Sequence, residues 1–259
     1  MRLLGLISGH QTGAYNMALD EWLLDWVRQL PDLTLVVRTY QWQRPTLSLG
    51  VNQPAKDIPR LLLEHPLDTH DWVRRPTGGR AILHGQDIAF SFVCNDPALL
   101  KQPLKNSYCQ LTGLLKHALN TCAIPLQDSC KENPGAISDK SYLRSSLCFE
   151  TQTPSDVLDA HGQKIAGCAQ LRRQGGILQH GSAFISAYNV SETRLAQALW
   201  QAASKQYHVP VKSFHLQETD LRTFHALMDA YQREVRSLSQ SMVASTATTS
   251  GSHSVPASF

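Results

Sequence analysis

Apolar residues recur at helical spacing in several stretches of this 259-residue chain. Over 13–30, Leu19, Leu23, Trp26 or Val27, and Leu30 fall three or four apart, and Pro31 ends the run. Asp20 and Glu21 lie on or near the polar side, so the segment reads as an amphipathic core helix. Over 103–122, Leu104, Tyr108, Leu111, Leu115, Ala118 and Cys122 mark one helical face, closed by Pro125. Further helices are predicted over 191–205 (Leu195, Leu199, Ala202) and over 218–238 (Leu221, Phe224, Leu227, Met228, Tyr231). Strands are predicted at 33–40, 47–50, up to Trp72-Val73, 87–94, 156–160, 163–170 and 176–186. His161-Gly162 is a short turn that joins two of these as a hairpin. Residues 52–70 read as a loop with one helical turn. Residues 130–147 are polar, with Asn133-Pro134-Gly135 as a turn signal, a length that is functional or disordered as a rule.

Helices and strands do not alternate strictly. That order predicts an α+β fold, a mixed or largely antiparallel sheet flanked by helices, in one domain over 1–238. From Ser239 the composition shifts to Ser, Thr, Ala and Gly, so 239–259 are expected to be a disordered polar tail.

Composition narrows the function classes. At 42% hydrophobic the chain buries a substantial core, and a net charge of +3 permits an acidic partner. No basic run with interleaved aromatics appears, so nucleic acid is set aside. Met1 to Ile7 is too short an apolar run for a signal peptide, and nothing approaches the ~20 apolar residues of a membrane span. A soluble, cytoplasmic protein with no membrane partner is expected. The six cysteines form no CxxC pair, so a zinc ribbon is not expected, and in a reducing compartment most serve as small buried groups. Cys109 and Cys122 share the 103–122 helix and read as structural.

One stretch concentrates chemistry: Arg74-Arg75-Pro76-Thr77-Gly78-Gly79-Arg80-Ala81-Ile82-Leu83-His84. Pro76 and the glycine pair force a turn between two strands, and glycine lets backbone N–H groups approach a ligand. The arginines add fixed charge, and His84 adds a group that exchanges protons near neutral pH. A basic hairpin turn is the plain alternative. Cys148 follows the polar loop, in a Cys-Phe-Glu context unlike the helical apolar faces, and is a candidate nucleophile. Cys168, within a strand beside Gly167, is the competing candidate.

Four ordered motifs change the weighting. Asn16 to Glu21, Arg74 to His84 (RRPTGGRAILH), Lys164 to Gln170 (KIAGCAQ) and Gly176 to Ser182 (GILQHGS) resemble the lipoyl/octanoyl transferase and lipoate ligase family, over roughly the first 190 residues. The resemblance is closest to its LipM-type cysteine octanoyltransferase branch, and implies the biotin/lipoate ligase-like catalytic fold. It implies that octanoyl passes from acyl carrier protein through a Cys148 thioester to a lysine of an apo lipoyl domain or glycine-cleavage H protein. No ATP, cofactor or metal is then required. Lys164 would face the acyl carbonyl, as proton acceptor or oxyanion stabiliser. His84 is a second proton-transfer candidate, with a structural role as the alternative. Arg75, Thr77, Gly78, Gly79, Ala81, Gly167 and His180 are the implied substrate-binding residues, with Arg75 and Arg80 ordering the loop or meeting an acidic partner. Ile82, Leu83 and Phe90 are expected to help form a slot for an eight-carbon chain.

The rival readings are an ATP-dependent lipoate–protein ligase, an octanoyl amidotransferase between lipoyl domains, and a silent lipoyl-domain binder. Ligases of the family typically have a third glycine where this chain has Arg80. They tend to have Asp-x-Gly-Asn where it has Gly85-Gln86-Asp87-Ile88, and many carry an accessory domain for which the polar tail is too short.

Overall fold

A computed structural model of the chain describes residues 1–54, 71–127, 156–216 and 221–249, with side chains of the last helix described through residue 237. Among the described residues, ten strands run as β1 (Arg2–Gln11), β2 (Thr34–Trp42), β3 (Thr46–Leu49), β4 (Asp71–Arg74), β5 (Ile82–His84), β6 (Ile88–Cys94), β7 (Val157–Leu158), β8 (Lys164–Arg173), β9 (Gly176–Ala183) and β10 (Val211–Ser213). The helices are α1 (Gly13–Val27), α2 (Pro97–Lys101), α3 (Leu104–Thr121), α4 (Glu192–Tyr207) and α5 (Leu221–Thr249).

The strands form two sheets. The larger has seven strands in the order β10-β1-β2-β6-β9-β8-β7; the smaller has three, β4-β3-β5. In the larger sheet β1 pairs in parallel with β10 and β2, and every other neighbour pair is antiparallel. The expected mixed, largely antiparallel sheet flanked by helices is what forms.

Alternation along the central strands explains the layers. Leu35 and Val37 of β2, and Phe90 and Phe92 of β6, pack toward one face with Leu111, Leu115 and Leu119 of α3 and Leu195 and Leu199 of α4. Their neighbours Val36 and Val93 point to the other face, against Leu19, Leu23 and Leu24 of α1 and Phe224 of α5. A sheet covered on both faces needs near-continuous apolar strands, and every residue of β6 is buried.

The helix starts carry their own signals. Thr12 caps α1, its Oγ1 accepting from Tyr15 N at 3.2 Å. Asp96 caps α2 ahead of Pro97, accepting from Ala98 N at 2.8 Å. In the β7–β8 hairpin, Asp159 Oδ1 accepts from His161 N and Gln163 N, both at 2.9 Å, and Gly162 takes φ +79°.

Several elements depart from the sequence expectation. Strands β1, β5 and β10 and helix α2 were not anticipated. In β1, glycines interrupt the apolar pattern: a Cβ on Gly5 would overlap the Trp200 indole, whose Nε1 donates to Val37 O at 3.1 Å. Helix α1 stops at Val27, before Pro31, and β9 stops at Ala183, short of the expected end at 186. Helix α5 continues past Leu238 to Thr249, because 239–249 hold no Gly or Pro to stop it. Cys109 is exposed on α3, while Cys122 is buried at its end. Of the expected loop at 52–70, residues 55–70 lie outside the described residues, as do the expected loop at 130–147 and Cys148.

Candidate active site

The turn between β4 and β5 is built by Arg75. Its guanidinium donates to the carbonyls of Ser48 (2.9 Å), Gly78 (2.9 Å) and Arg80 (2.6 Å). Backbone bonds Arg75 N to Leu49 O and Val51 N to Thr77 O, both 2.9 Å, tie the turn to the end of β3. Gly79 has φ +91°, and a Cβ on Gly50 would overlap the Gly79 carbonyl. Arg75 therefore orders the loop, one of the two roles expected of it.

Under this turn lies a cavity of about 450 Å³, its open mouth included. The small sheet and turn contribute Ser48, Arg75, Gly79, Ile82 and His84. Helix α1 and β2 contribute Met17, Tyr40 and Trp42. Strands β8 and β9 contribute Gly167 to Ala169 and His180 to Ser182. Of the expected substrate-binding residues, Arg75, Gly79, Gly167 and His180 reach the cavity wall. Thr77 and Ala81 are buried behind it, and Gly78 acts through its carbonyl on Arg75. The expected apolar slot needs correction. Ile82 lines the cavity, but Phe90 is buried in the core beneath α3 and α4, and Leu83 is not in the wall. Met17, Tyr40 and Trp42 supply the apolar surface instead.

Two buried polar clusters flank the cavity. In the first, Asp20 is fully buried and meets Arg38 Nη1 (2.7 Å), Ser91 Oγ (2.8 Å), Tyr40 OH (3.1 Å) and His180 Nδ1 (2.9 Å). Burial pushes the Asp20 carboxyl up, but the Arg38 charge and the His180 contact outweigh it and hold it below the usual carboxylate value. Burial pushes His180 down despite Asp20, so the ring is neutral at neutral pH. The carboxylate only accepts, so Nδ1 of His180 carries the proton and Nε2 accepts from the Thr77 hydroxyl at 2.7 Å. His180 thus joins this buried network and lines the cavity.

In the second cluster, His84 Nδ1 lies 2.7 Å from Asp87 Oδ2 and Nε2 lies 2.8 Å from Ser48 Oγ. Burial raises the Asp87 carboxyl, but His84 and hydrogen bonds from Ser182 and Gly85 bring it below its ordinary value. The His84 ring stacks on Trp42, centroids 4.0 Å apart. The Trp42 Nε1 donor is buried with no partner among the described residues.

Lys164, at the start of β8, is buried and forms an ion pair with Asp156, Nζ to Oδ2 2.9 Å. A Cβ on Gly167 would stand 3.5 Å from Nζ, so the ammonium lies against the backbone of the cavity floor. Burial pushes the Cys168 thiol up to about 12, against hydrogen bonds from Thr112, Tyr108 and Gln179 that lower it. At neutral pH it stays a thiol, which counts against it as nucleophile. Among the described residues, no group of three or more His, Cys, Asp or Glu could hold a metal ion, and no helix is long and apolar enough to cross a membrane.

Sequence reading missed Asp20, Arg38, Ser48, Asp87 and Asp156 as parts of the site. The signals were a charged residue inside the apolar run Leu35-Val36-Val37-Arg38 and an acid three positions after His84.

Comparison with known proteins agrees with the motifs. The model of the lipoyl protein ligase A/B catalytic domain matches residues 12–244. Octanoyltransferase LipM of Lysinibacillus sphaericus (strain C3-41) is 34% identical over 182 residues, 68% of this chain and 63% of that protein. Octanoyltransferase LipM of Bacillus subtilis (strain 168) is 36% identical over 187 residues, 68% of this chain and 62% of the relative. The chain thus spans under two thirds of the length of these curated relatives. In fold it is similar to the crystal structure of a lipoate-protein ligase A bound with ATP, with a TM-score of 0.66 at 19% identity over 88% of this chain and 94% of that one. By the extent of the family match, the chain belongs to the lipoyl protein ligase A/B catalytic domain family.

Proposed function

We propose that the chain is an octanoyl-[acyl-carrier-protein]:protein N-octanoyltransferase of lipoate biosynthesis, working in the cytoplasm as one catalytic domain that includes α5. The observation that carries this reading is its identity of 34–36% to octanoyltransferases. The cavity supports it: an apolar wall of Met17, Tyr40, Trp42 and Ile82 suits an acyl chain, and each buried methylene contributes ~0.8 kcal/mol.

In the proposed cycle the Cys148 thiolate attacks the octanoyl thioester of acyl carrier protein and the carrier thiol leaves. One thioester replaces another, so the step is near thermoneutral and needs no ATP. The ε-amine of a lysine on an apo lipoyl domain or glycine-cleavage H protein then attacks the acyl-enzyme, and amide formation drives the cycle forward. Splitting the transfer this way gives ping-pong kinetics. Lys164, paired with Asp156, supplies a fixed positive charge for the tetrahedral oxyanion in both steps. His84 takes the amine proton. The turn residues Thr77, Gly78, Gly79 and Ala81, with Arg75, Gly167 and His180, shape the space for the acyl group.

Intact-mass spectrometry with octanoyl-acyl carrier protein, in the absence of ATP, tests the reading. An octanoyl adduct on Cys148, lost in Cys148→Ser and chased off by an apo lipoyl domain, is expected. Modification of the lipoyl domain only with free acid plus ATP would overturn it in favour of a ligase.

A further inference from the structure

The proposed transfer uses His84 only as a proton acceptor, yet the ring sits in a longer chain of contacts. Asp87 Oδ2 is 2.7 Å from Nδ1, and Ser48 Oγ is 2.8 Å from Nε2. The carboxylate can only accept, so the tautomer that satisfies it carries its proton on Nδ1 and turns Nε2 to the serine hydroxyl. Asp87 is itself fixed, its Oδ1 accepting from Gly85 N at 2.9 Å. The Arg75 Nη1 lies 3.2 Å from Ser48 Oγ, a cationic donor beside the oxygen that would bear developing charge. Ser48 and His84 both line the cavity, as does Trp42, whose ring stacks on His84 and whose buried N–H has no partner among the described residues. An acid, a base and a hydroxyl in hydrogen-bonded sequence define a nucleophile by geometry rather than by chain order.

We propose that Ser48, His84 and Asp87 form a second acyl-transfer centre in this cavity, which takes the acyl group of a thioester onto Ser48 and passes it to water. The choice of an acyl thioester rests on the transferase reading above. Ser48 Oγ attacks the thioester carbonyl while His84 Nε2 takes the hydroxyl proton. The C–S bond breaks and the leaving sulfur receives that proton as a free thiol. Water then attacks the serine ester, its proton passing to His84. The C–O bond breaks, Ser48 regains its proton and the carboxylic acid leaves. The sum is thioester plus water to acid plus thiol, with no oxidant or further co-reactant. The Trp42 N–H, which has no partner among the described residues, is the donor proposed for the carbonyl oxygen, while the Arg75 guanidinium stays bonded to the turn and to Ser48 Oγ.

The experiment is done on the full chain carrying Cys148→Ala, so that the cysteine route is closed. Incubation with octanoyl-acyl carrier protein is expected to release free octanoate. It should also leave an octanoyl adduct on the peptide bearing Ser48 that resists neutral hydroxylamine. Adding Ser48→Ala should abolish both, and adding Asp87→Asn should slow release at least ~10²-fold. Ser48→Cys in the same background guards against a folding artefact: the adduct should return, now sensitive to hydroxylamine. Octanoate release that persists with Ser48→Ala, or no release and no adduct with Ser48 intact, overturns the proposal. An adduct on Cys148 in the unmodified chain is read separately, so failure of the triad and failure of the transferase reading are distinct results.

Discussion

In the seven-stranded sheet, β6 is buried along its whole length, and two helices cover each face. In the three-stranded sheet the strands are three or four residues long, and the turn they carry is held by one guanidinium bonded to three backbone carbonyls. Both sheets border the cavity. The first resists deformation through apolar packing, which is non-directional and spread over many residues. The second resists through a few directional bonds, so one lost donor moves the groups it aims. Stability and placement of the chemistry are therefore separable here, residue by residue.

Substitutions can break or sharpen that contrast. The largest effect is expected from Arg38→Met, which leaves the fully buried Asp20 carboxylate without its cation. Breaking such a pair costs about 3–5 kcal/mol, read as a lower denaturation midpoint in urea, and adding Asp20→Asn should restore part of it. Leu115→Ala opens a cavity under the large sheet and should cost about 2–5 kcal/mol, with the octanoylation rate per folded molecule unchanged. A matching fall in rate would mean the two sheets are not separable. Arg75→Lys should reverse the pattern. It leaves carbonyls of the turn unpaired at about 1–3 kcal/mol, while slowing acyl-adduct formation far more than the loss of folded protein explains.

The smallest effect is in pH. The folded-state value of His180 lies below its ordinary one, so the unfolded chain binds the extra proton first. Its contribution to stability is complete above the unfolded value of about 6.5 and is lost as pH falls toward the folded one. Asp20 is depressed in the same sense, its contribution fading only in the acid range below about 4. The melting temperature should therefore drop between pH 7 and pH 5, with a slope of at most about 1.4 kcal/mol per unit from this histidine. His180→Gln should flatten that slope. An unchanged slope would assign the acid sensitivity elsewhere.

Much of this architecture was legible in the sequence because the signals are local. The β-rich run around Val36, the stepped face of α3 and the His161-Gly162 turn each depend on neighbours in the chain. What was hidden depends on distant residues. Asp20 reads as the polar side of a helix because its partners Arg38 and His180 lie 18 and 160 positions away. Strand β1 was masked by Gly5, which is small because a tryptophan from α4 lies across it. The motifs located the turn, Lys164 and His84, but not Ser48, since a serine in a short strand carries no mark until His84 is placed beside it. Phe90 misled for the opposite reason: it is near the turn in sequence and on the far side of the sheet in space.

The floor of the cavity is largely peptide. Gly167 and Gly181 stand on paired strands, and a Cβ on Gly181 would overlap the Gly167 carbonyl. A surface made of main chain has no rotamers to adjust and no methyl groups to add or remove. Drift in the sequence at Gly181 is therefore nearly closed, while a Cβ on Gly167 would meet the Lys164 side chain at 3.2 Å, and on the proposed function a change in the length of acyl chain accepted comes through the walls. Met17 and Ile82 are the adjustable parts: relatives that favour shorter or longer acids should differ there while Gly181 stays fixed.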